Sequence, residues 1–263
     1  MAIIEPFALA IGFLLSYIYD FEVSYGVSIV ILTIIINIII FPLTLRQTRS
    51  TKRMQDAQPE LKRIQKQYKD NKEEMNKKVA EYYKENGINP LGCIVPLLVQ
   101  MPVWFALFRV LREPLLFIPK EATLYSALGD PLSVLFFNMD LQVPASAINA
   151  WVDRLPYIVL ILFVVGTALI QQNQLTKKQG TTNNPQQQQM QMIGKVMPLF
   201  FGFISWTLPS GLVVYFLTGN IFRIGQQALI VKLEENQKDK EKNKEKNKEK
   251  EDQKENDENK EGP

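Results

Sequence analysis

The stretch VSIVILTIIINIIIFPLTL, from Val27 to Leu45, carries no charged residue over 19 positions. At about 1.5 Å of rise per residue, a helix of that length nearly covers the ~30 Å hydrocarbon core of a bilayer. It reads as a transmembrane helix, and its character decides the fold class. Two polar residues interrupt it, Thr33 and Asn37, four positions apart and so on one helix face. Pro42 removes a ladder hydrogen bond and predicts a kink near the end. The first basic residue of the chain, Arg46, follows immediately.

Further apolar runs lie on the C-terminal side. Ile94 to Leu111 reads as a second span and contains Pro96, Gln100, Pro102, Trp104 and Arg109. Leu155 to Ile170 reads as a third, ending in Gln171, Gln172 and Asn173. The apolar stretch from Ile193 to Ile230 is too long for one helix, and Leu208-Pro209-Ser210-Gly211 breaks it into a tight hairpin of two spans. The expected architecture is an all-α integral membrane protein with five core transmembrane helices. The earlier run from Pro6 to Tyr19 has only 14 residues. It reads as a helix lying at the interface with Tyr17 and Tyr19 near the headgroups, a tilted span being the alternative.

Charge sets the orientation. Residues 1–25 hold three acids and no Lys or Arg, whereas 46–91 hold twelve basic residues against seven acids. The loop 112–154 has only Arg112, Lys120 and Arg154, and the loop 171–195 has three lysines and no acid. With the N-terminus outside, twenty-five basic residues fall inside and three outside, as the positive-inside rule requires. The expected organisation is an extracytoplasmic interfacial segment at 1–25, a core at 26–231 and a cytoplasmic tail at 232–263. That tail has ten lysines, twelve acids and almost no apolar residue, so it cannot bury a core. Residues 174–192 form a second low-complexity stretch, expected to be a mobile loop.

The segment 46–91 predicts two helices. Leu61, Ile64 and Tyr68 share one face, as do Met75, Val79 and Tyr82. Pro59 suits a helix start, Asp70-Asn71 a turn, and Gly87 with Pro90 an end. The product is a basic helical hairpin carrying Arg49, Lys52, Arg53, Lys62, Arg63 and Lys66. It is either a docking element or a solvated connection between spans.

The chain has no histidine and a single cysteine, Cys93. An intrachain disulfide, zinc sites built on His or Cys, and Ser–His or Cys–His catalysis are thereby excluded. No carboxylate lies inside an apolar run, so we expect neither an enzyme nor a cofactor or metal. Cys93 reads as a small packing residue beside the Asn89-Pro90-Leu91-Gly92 turn.

The candidate functional groups are therefore the polar residues within the spans. Asn37, Gln100 and Asn220, with Arg223, Gln226 and Gln227 along the last span, are costly facing lipid and should turn toward one another or a wet cavity. Simple bonding between neighbouring helices, about 1 kcal/mol each, is the alternative. Arg109 and Arg223 lie near span ends and are expected to snorkel.

Three stretches together resemble the YidC family of membrane protein insertases: FPLTLRQTRSTKRMQDAQPELKRIQKQY (Phe41–Tyr68), YKENGINPLGCIVPLLVQMPVWFALFRVL (Tyr83–Leu111) and MPLFFGFISWTLPSGLVVYFLTGNIFRIGQQ (Met197–Gln227). They occur in that family's order, and the likeness covers nearly all of residues 20–231. The lack of a large extracytoplasmic domain looks like the Gram-positive or actinobacterial type. The resemblance implies five spans around a hydrophilic groove that opens to the cytoplasm and to lipid in a bacterial cytoplasmic membrane. It implies that nascent membrane proteins enter the groove and leave into the lipid bilayer without ATP, alone or with the Sec translocon. Thr33 and Phe216 match client-contacting positions and Gln100 a groove-lining glutamine, with Trp104 and Asn220 beside them. The family's groove arginine falls on Asn37, which offers a dipole instead of a charge. Ribosome contact is expected from the hairpin bases rather than from the near-neutral tail, with no sequence-specific nucleic acid binding. A small-solute or ion transporter is the alternative, though no inverted repeat and no acid within a span supports it. A purely structural assembly subunit would need no polar groove.

Overall fold

The computed structural model describes residues 4–21, 23–88, 95–176 and 196–232. The tail from 233, residues 177–195 of the loop, and Cys93 with its Asn-Pro-Leu-Gly turn lie outside the described residues. The chain divides into two units, Met1–Ile224 and Gly225–Pro263. Of the second, residues 225–232 are described; they are helical, and Gln226 and Ile230 are buried.

The described part of the first unit is almost wholly helical. Helix α1 runs Ile4–Tyr19, α2 Tyr25–Asp56, α3 Gln58–Gln67, α4 Lys72–Glu85 and α5 Val95–Arg112. A short α6, Thr123–Ala127, precedes α7, Trp151–Thr176. Helix α8 is Val196–Ser205, and within this unit α9 spans 210–224. Two stretches are long and apolar enough to cross a membrane, Tyr25–Arg46 and Trp151–Gln174. Both extend beyond the apolar runs that mark them in the sequence, because polar flanks such as Gln171–Gln174 continue the helical ladder at little cost.

Helix α2 continues for 32 residues through Pro42, so the apolar run passes without a break into the basic segment that follows it. Only Ala57 separates it from α3, whose first turn holds Pro59. Asn71 caps α4, its side chain accepting the Glu74 N–H at 3.2 Å. Gly87 follows that helix at φ +60°, a left-handed conformation that glycine adopts without strain.

Helix α1 packs on α5 and α2 through Ala8, Ile11, Leu15 and Ile18, all buried. Its opposite face is also apolar: Leu9, Phe13 and Tyr17 are exposed. Gly12 lies directly against the Phe117 carbonyl, leaving no room for a Cβ. Helix α8 meets α7 in the same way, with Val165 occupying the space where Gly202 has no side chain.

The segment 112–154 differs from its expectation as a loop. It folds into a cap with buried Leu124, Leu128, Val134, Met139, Leu141 and Ala145. Three short 3-10 turns and one antiparallel hairpin, β1 (Leu135–Phe136) with β2 (Met139–Asp140), build it. The hairpin turn holds Phe137 at φ +49° and Asn138 at φ +60°. Two successive left-handed residues make a type I′ turn, which matches strand twist but costs a residue such as Phe about 1–2 kcal/mol. The cap also grips the break between α8 and α9. Ser210 N–H and Oγ both donate to the Val143 carbonyl, at 3.1 and 2.8 Å, and Gly211 N–H donates to the Leu141 carbonyl at 2.8 Å. These bonds take up backbone donors at the start of α9, which would otherwise be orphaned.

Candidate functional site

The residues singled out in the sequence fall into three groups. Thr33 and Asn37 form the first, on α2. Thr33 is fully buried and its Oγ1 donates to the Ile29 carbonyl at 2.6 Å; the Asn37 amide donates to the Thr33 carbonyl at 2.8 Å. The Thr33 hydroxyl proton and one Asn37 N–H are therefore satisfied by the helix's own backbone, while the amide keeps a second N–H and its oxygen for other partners. Thr33 presents no surface to a ligand in this conformation. The surface of α2 is carried instead by Ile34, Ile38 and Ile39, all exposed.

The second group joins α5 to α9. Gln100 Nε2 donates to the Tyr215 hydroxyl at 3.1 Å, across 115 residues of sequence. Tyr215 is buried, so its hydroxyl has no recourse to water. One turn beyond Gln100, Trp104 is half-buried; its indole N–H is shut off from solvent and has no acceptor among the described residues. Its ring packs on Phe105 and Phe108. On α9, Phe216 is half-buried against Phe201 of α8, ring centroids 5.9 Å apart.

The third group joins α9 to α7. Asn220 Nδ2 donates to the Val164 carbonyl and to Thr167 Oγ1, both at 3.3 Å. Here the amide acts as a tie between helices. Arg223 follows one turn after Gly219, and its Nη2 lies 3.9 Å from where a Gly219 Cβ would be, an ordinary contact distance. Tyr215, Gly219 and Arg223 thus line one face of α9, and the arginine lies within electrostatic reach of the phenol that binds Gln100.

Tyr215 and Thr167 are the partners that reading the chain missed. A tyrosine inside an otherwise apolar run was the available signal for the first, since its hydroxyl demands a partner there. Arg109 does not simply reach for water: its guanidinium lies over the Phe117 ring, 4.9 Å from the centroid, a cation–π contact with the cap. At the other end of α2, Arg53, Arg63 and Lys66 are exposed and Lys62 is half-buried, while the side chains of Arg49 and Lys52 lie outside the described residues. Arg63 pairs loosely with Glu60 at 3.6 Å, and Lys78 pairs with Glu81 at 2.8 Å. No cluster suited to a metal ion occurs among the described residues.

The geometry is that of polar contacts threaded between apolar helices. The family described as 60Kd inner membrane protein matches residues 17–240. The chain belongs to this family, that of the YidC insertases. A relative from Fusobacterium nucleatum, named membrane protein insertase YidC, is 36% identical over 223 residues, which cover 84% of this chain and 93% of the relative. One of the same name from Pelobacter propionicus is 38% identical over 83% of this chain, and one from Streptomyces avermitilis is 33% identical over 80%. The chain spans 37% of the Pelobacter protein's length and 51% of the Streptomyces protein's. Family membership makes this an inner-membrane protein, in keeping with the two stretches among the described residues that are long and apolar enough to cross a membrane.

Proposed function

We propose that this chain is a membrane protein insertase and chaperone, with no catalytic chemistry of its own. It receives nascent membrane proteins in a hydrophilic groove facing the cytoplasm and releases their apolar segments into the bilayer without ATP, alone or beside the Sec translocon. The observation that carries this reading is the YidC-family match across residues 17–240, combined with polar groups on α2, α5 and α9 at depths where a lone amide is costly. The five spans of the groove are α2, α5, α7, α8 and α9; α1 lies at the outer interface. The basic residues around α3 set the orientation, with the N-terminus outside and the C-terminus in the cytoplasm.

The physical logic is a shortened barrier. A polar client segment crossing bare hydrocarbon loses its hydration without compensation. A wetted half-channel lowers that desolvation cost, and burial of the client's apolar span in lipid then drives the process forward. Gln100, Trp104 and the Arg223 face of α9 form the groove wall, which water reaches only when the helices part, with Thr33 and Asn37 behind them on α2. Phe216 and the exposed isoleucines of α2 border the path along which the apolar segment leaves. Ribosome contact uses the hairpin bases Arg49, Lys52, Arg53, Lys62, Arg63 and Lys66.

A photo-reactive residue placed at Phe216 should crosslink to a stalled nascent membrane protein, and one at Val152, at the opposite end of α7, should not. Thr33 should crosslink only if α2 shifts to open the groove. Absence of a nascent-chain adduct at both Phe216 and Thr33, with the stalled complex bound to the membrane, would overturn this reading.

A further inference from the structure

The cap holds an aromatic residue that neither the groove nor the core uses. Phe137 stands at the tip of the β1–β2 hairpin and is 78% exposed, in a left-handed conformation that a bulky residue rarely adopts. The hairpin itself is firmly placed. The Phe136 ring fills the space over Gly26, the second residue of α2, and both β1 and the Pro131–Val134 turn pack against that helix. On the other side, the Asp140 N–H of β2 donates to the Tyr157 hydroxyl in the second turn of α7, at 2.8 Å. The hairpin is thereby fixed between the first turns of the two stretches that cross the membrane, so its tip lies at the level where those stretches begin.

Other large apolar side chains are exposed at the same level. Phe21 lies in the connection into α2, Trp151 opens α7, and Leu132 sits on the turn that precedes β1; they are 67%, 70% and 76% exposed. The tip sequence Leu135-Phe136-Phe137-Asn138-Met139 contains no charge. In water this arrangement would be unfavourable, whereas aromatic rings at the boundary between hydrocarbon and headgroups are well placed.

We propose that the β1–β2 turn seats in the lipid headgroup layer on the membrane face where α2 and α7 begin, with Phe137 as its apolar anchor beside Phe21 and Trp151. The cap then rests on the membrane rather than standing clear of it, and the lipid holds the grip on the α8–α9 break at a fixed depth. This inference rests on the proposed reading of α2 and α7 as spans and on no property of the groove. The partner is the bilayer, because the tip is continuous with the ends of the membrane-crossing helices.

The test uses the full chain in proteoliposomes, with Cys93→Ser removing the native thiol and a nitroxide attached at Phe137→Cys. A second label at Ile39→Cys, an exposed position well inside α2, reports on the span. Oxygen, which concentrates in lipid, should collide with both labels several-fold more often than a water-soluble nickel chelate does. Nickel dominating at 137 while oxygen dominates at 39 would overturn the anchor and leave the spans standing. Nickel dominating at both would overturn the span reading itself. A label at 137 shielded from both reagents would mean that protein covers the tip, and would equally overturn the lipid assignment. Should Phe137→Cys not fold, Asn138→Cys on the same turn carries the label, with the same outcomes.

Discussion

Gln100 and Tyr215 are bound to each other across the α5–α9 interface, amide to phenol, at 3.1 Å. Tyr215 is buried, and each of the two groups satisfies the other where water is scarce. Tyr215→Phe and Gln100→Leu should each lower stability in detergent or lipid by roughly 0.6–1.7 kcal/mol, the range of polar contacts between membrane helices. The double variant should lose less than the sum of the two, since the second change removes a group already without its partner. Unfolding in mixed micelles measures the cycle; additive losses would show that the bond contributes nothing.

Asn220 ties α9 to α7 but leaves no orphan behind when removed. Thr167 Oγ1 also bonds the Phe163 carbonyl at 2.7 Å, so it stays satisfied in Asn220→Leu. That variant should therefore cost less than about 1 kcal/mol, near the average for such contacts. Thr167→Val should cost less still, because Asn220 keeps the Val164 carbonyl. A client-insertion defect in Asn220→Leu at unchanged stability would point to a direct role in the groove.

Gly12 is irreplaceable on packing grounds alone. A Cβ there would collide with the Phe117 backbone carbonyl, which has no flexible end to yield. Gly12→Val should displace α1 at a cost of about 1–3 kcal/mol, as overpacking generally does. Gly166→Val on α7, where a Cβ would meet nothing within 4 Å, should be nearly neutral by the same assay. Protease sensitivity around α1 reads the displacement.

On the proposed reading Asn37 gives the groove a dipole and no charge, and its amide is engaged by the Thr33 carbonyl. Native protein should insert clients with neutral translocated tails better than those with acidic tails. Asn37→Arg should shift that ratio several-fold toward acidic tails, since a cation in a low-dielectric groove attracts them strongly. Parallel insertion assays with both tails give the ratio directly, and an unchanged ratio would sink the idea.

The α3–α4 hairpin offers a test of local capping. Asn71→Ala removes the acceptor for the Glu74 N–H and should destabilise the first turn of α4 by about 0.5–2 kcal/mol, seen as faster amide exchange at residues 73–75. At the other end of that helix, the hydrogen bond from Lys78 holds the Glu81 carboxyl below its ordinary range. A carboxyl lowered on folding contributes stability above its unfolded value and loses it as pH falls through its folded one. The Lys78–Glu81 contact should therefore persist at neutral pH and disappear only on acidification. Both groups are solvent-exposed, so a chemical-shift titration of Glu81 should show it while global stability hardly moves.

Periodicity, charge and local chemistry determined much of this protein from the sequence alone. The uncharged run from Val27 to Leu45 must be helical in lipid, because only a helix satisfies its backbone there. Asp70-Asn71 as a turn, Pro59 at a helix start and the Leu208–Gly211 break act within a few residues of themselves, so their effects were legible without a fold; that Asn71 caps α4 was not read. The tertiary structure alone decided which polar groups meet. Gln100 reaches Tyr215 across 115 residues, and Asn220 reaches Thr167 across 53. No spacing rule encodes such pairs, since they depend on how α5, α7 and α9 are rotated against one another. The cap was hidden for a related reason. Its buried Leu124, Leu128, Val134, Met139 and Leu141 follow neither helical nor strand periodicity over any useful length, because their shared core is formed by turns closing onto the ends of α2, α7 and α9. Thr33, finally, looked free to meet a ligand in the sequence and is buried in the fold, its hydroxyl held by the turn of helix beneath it.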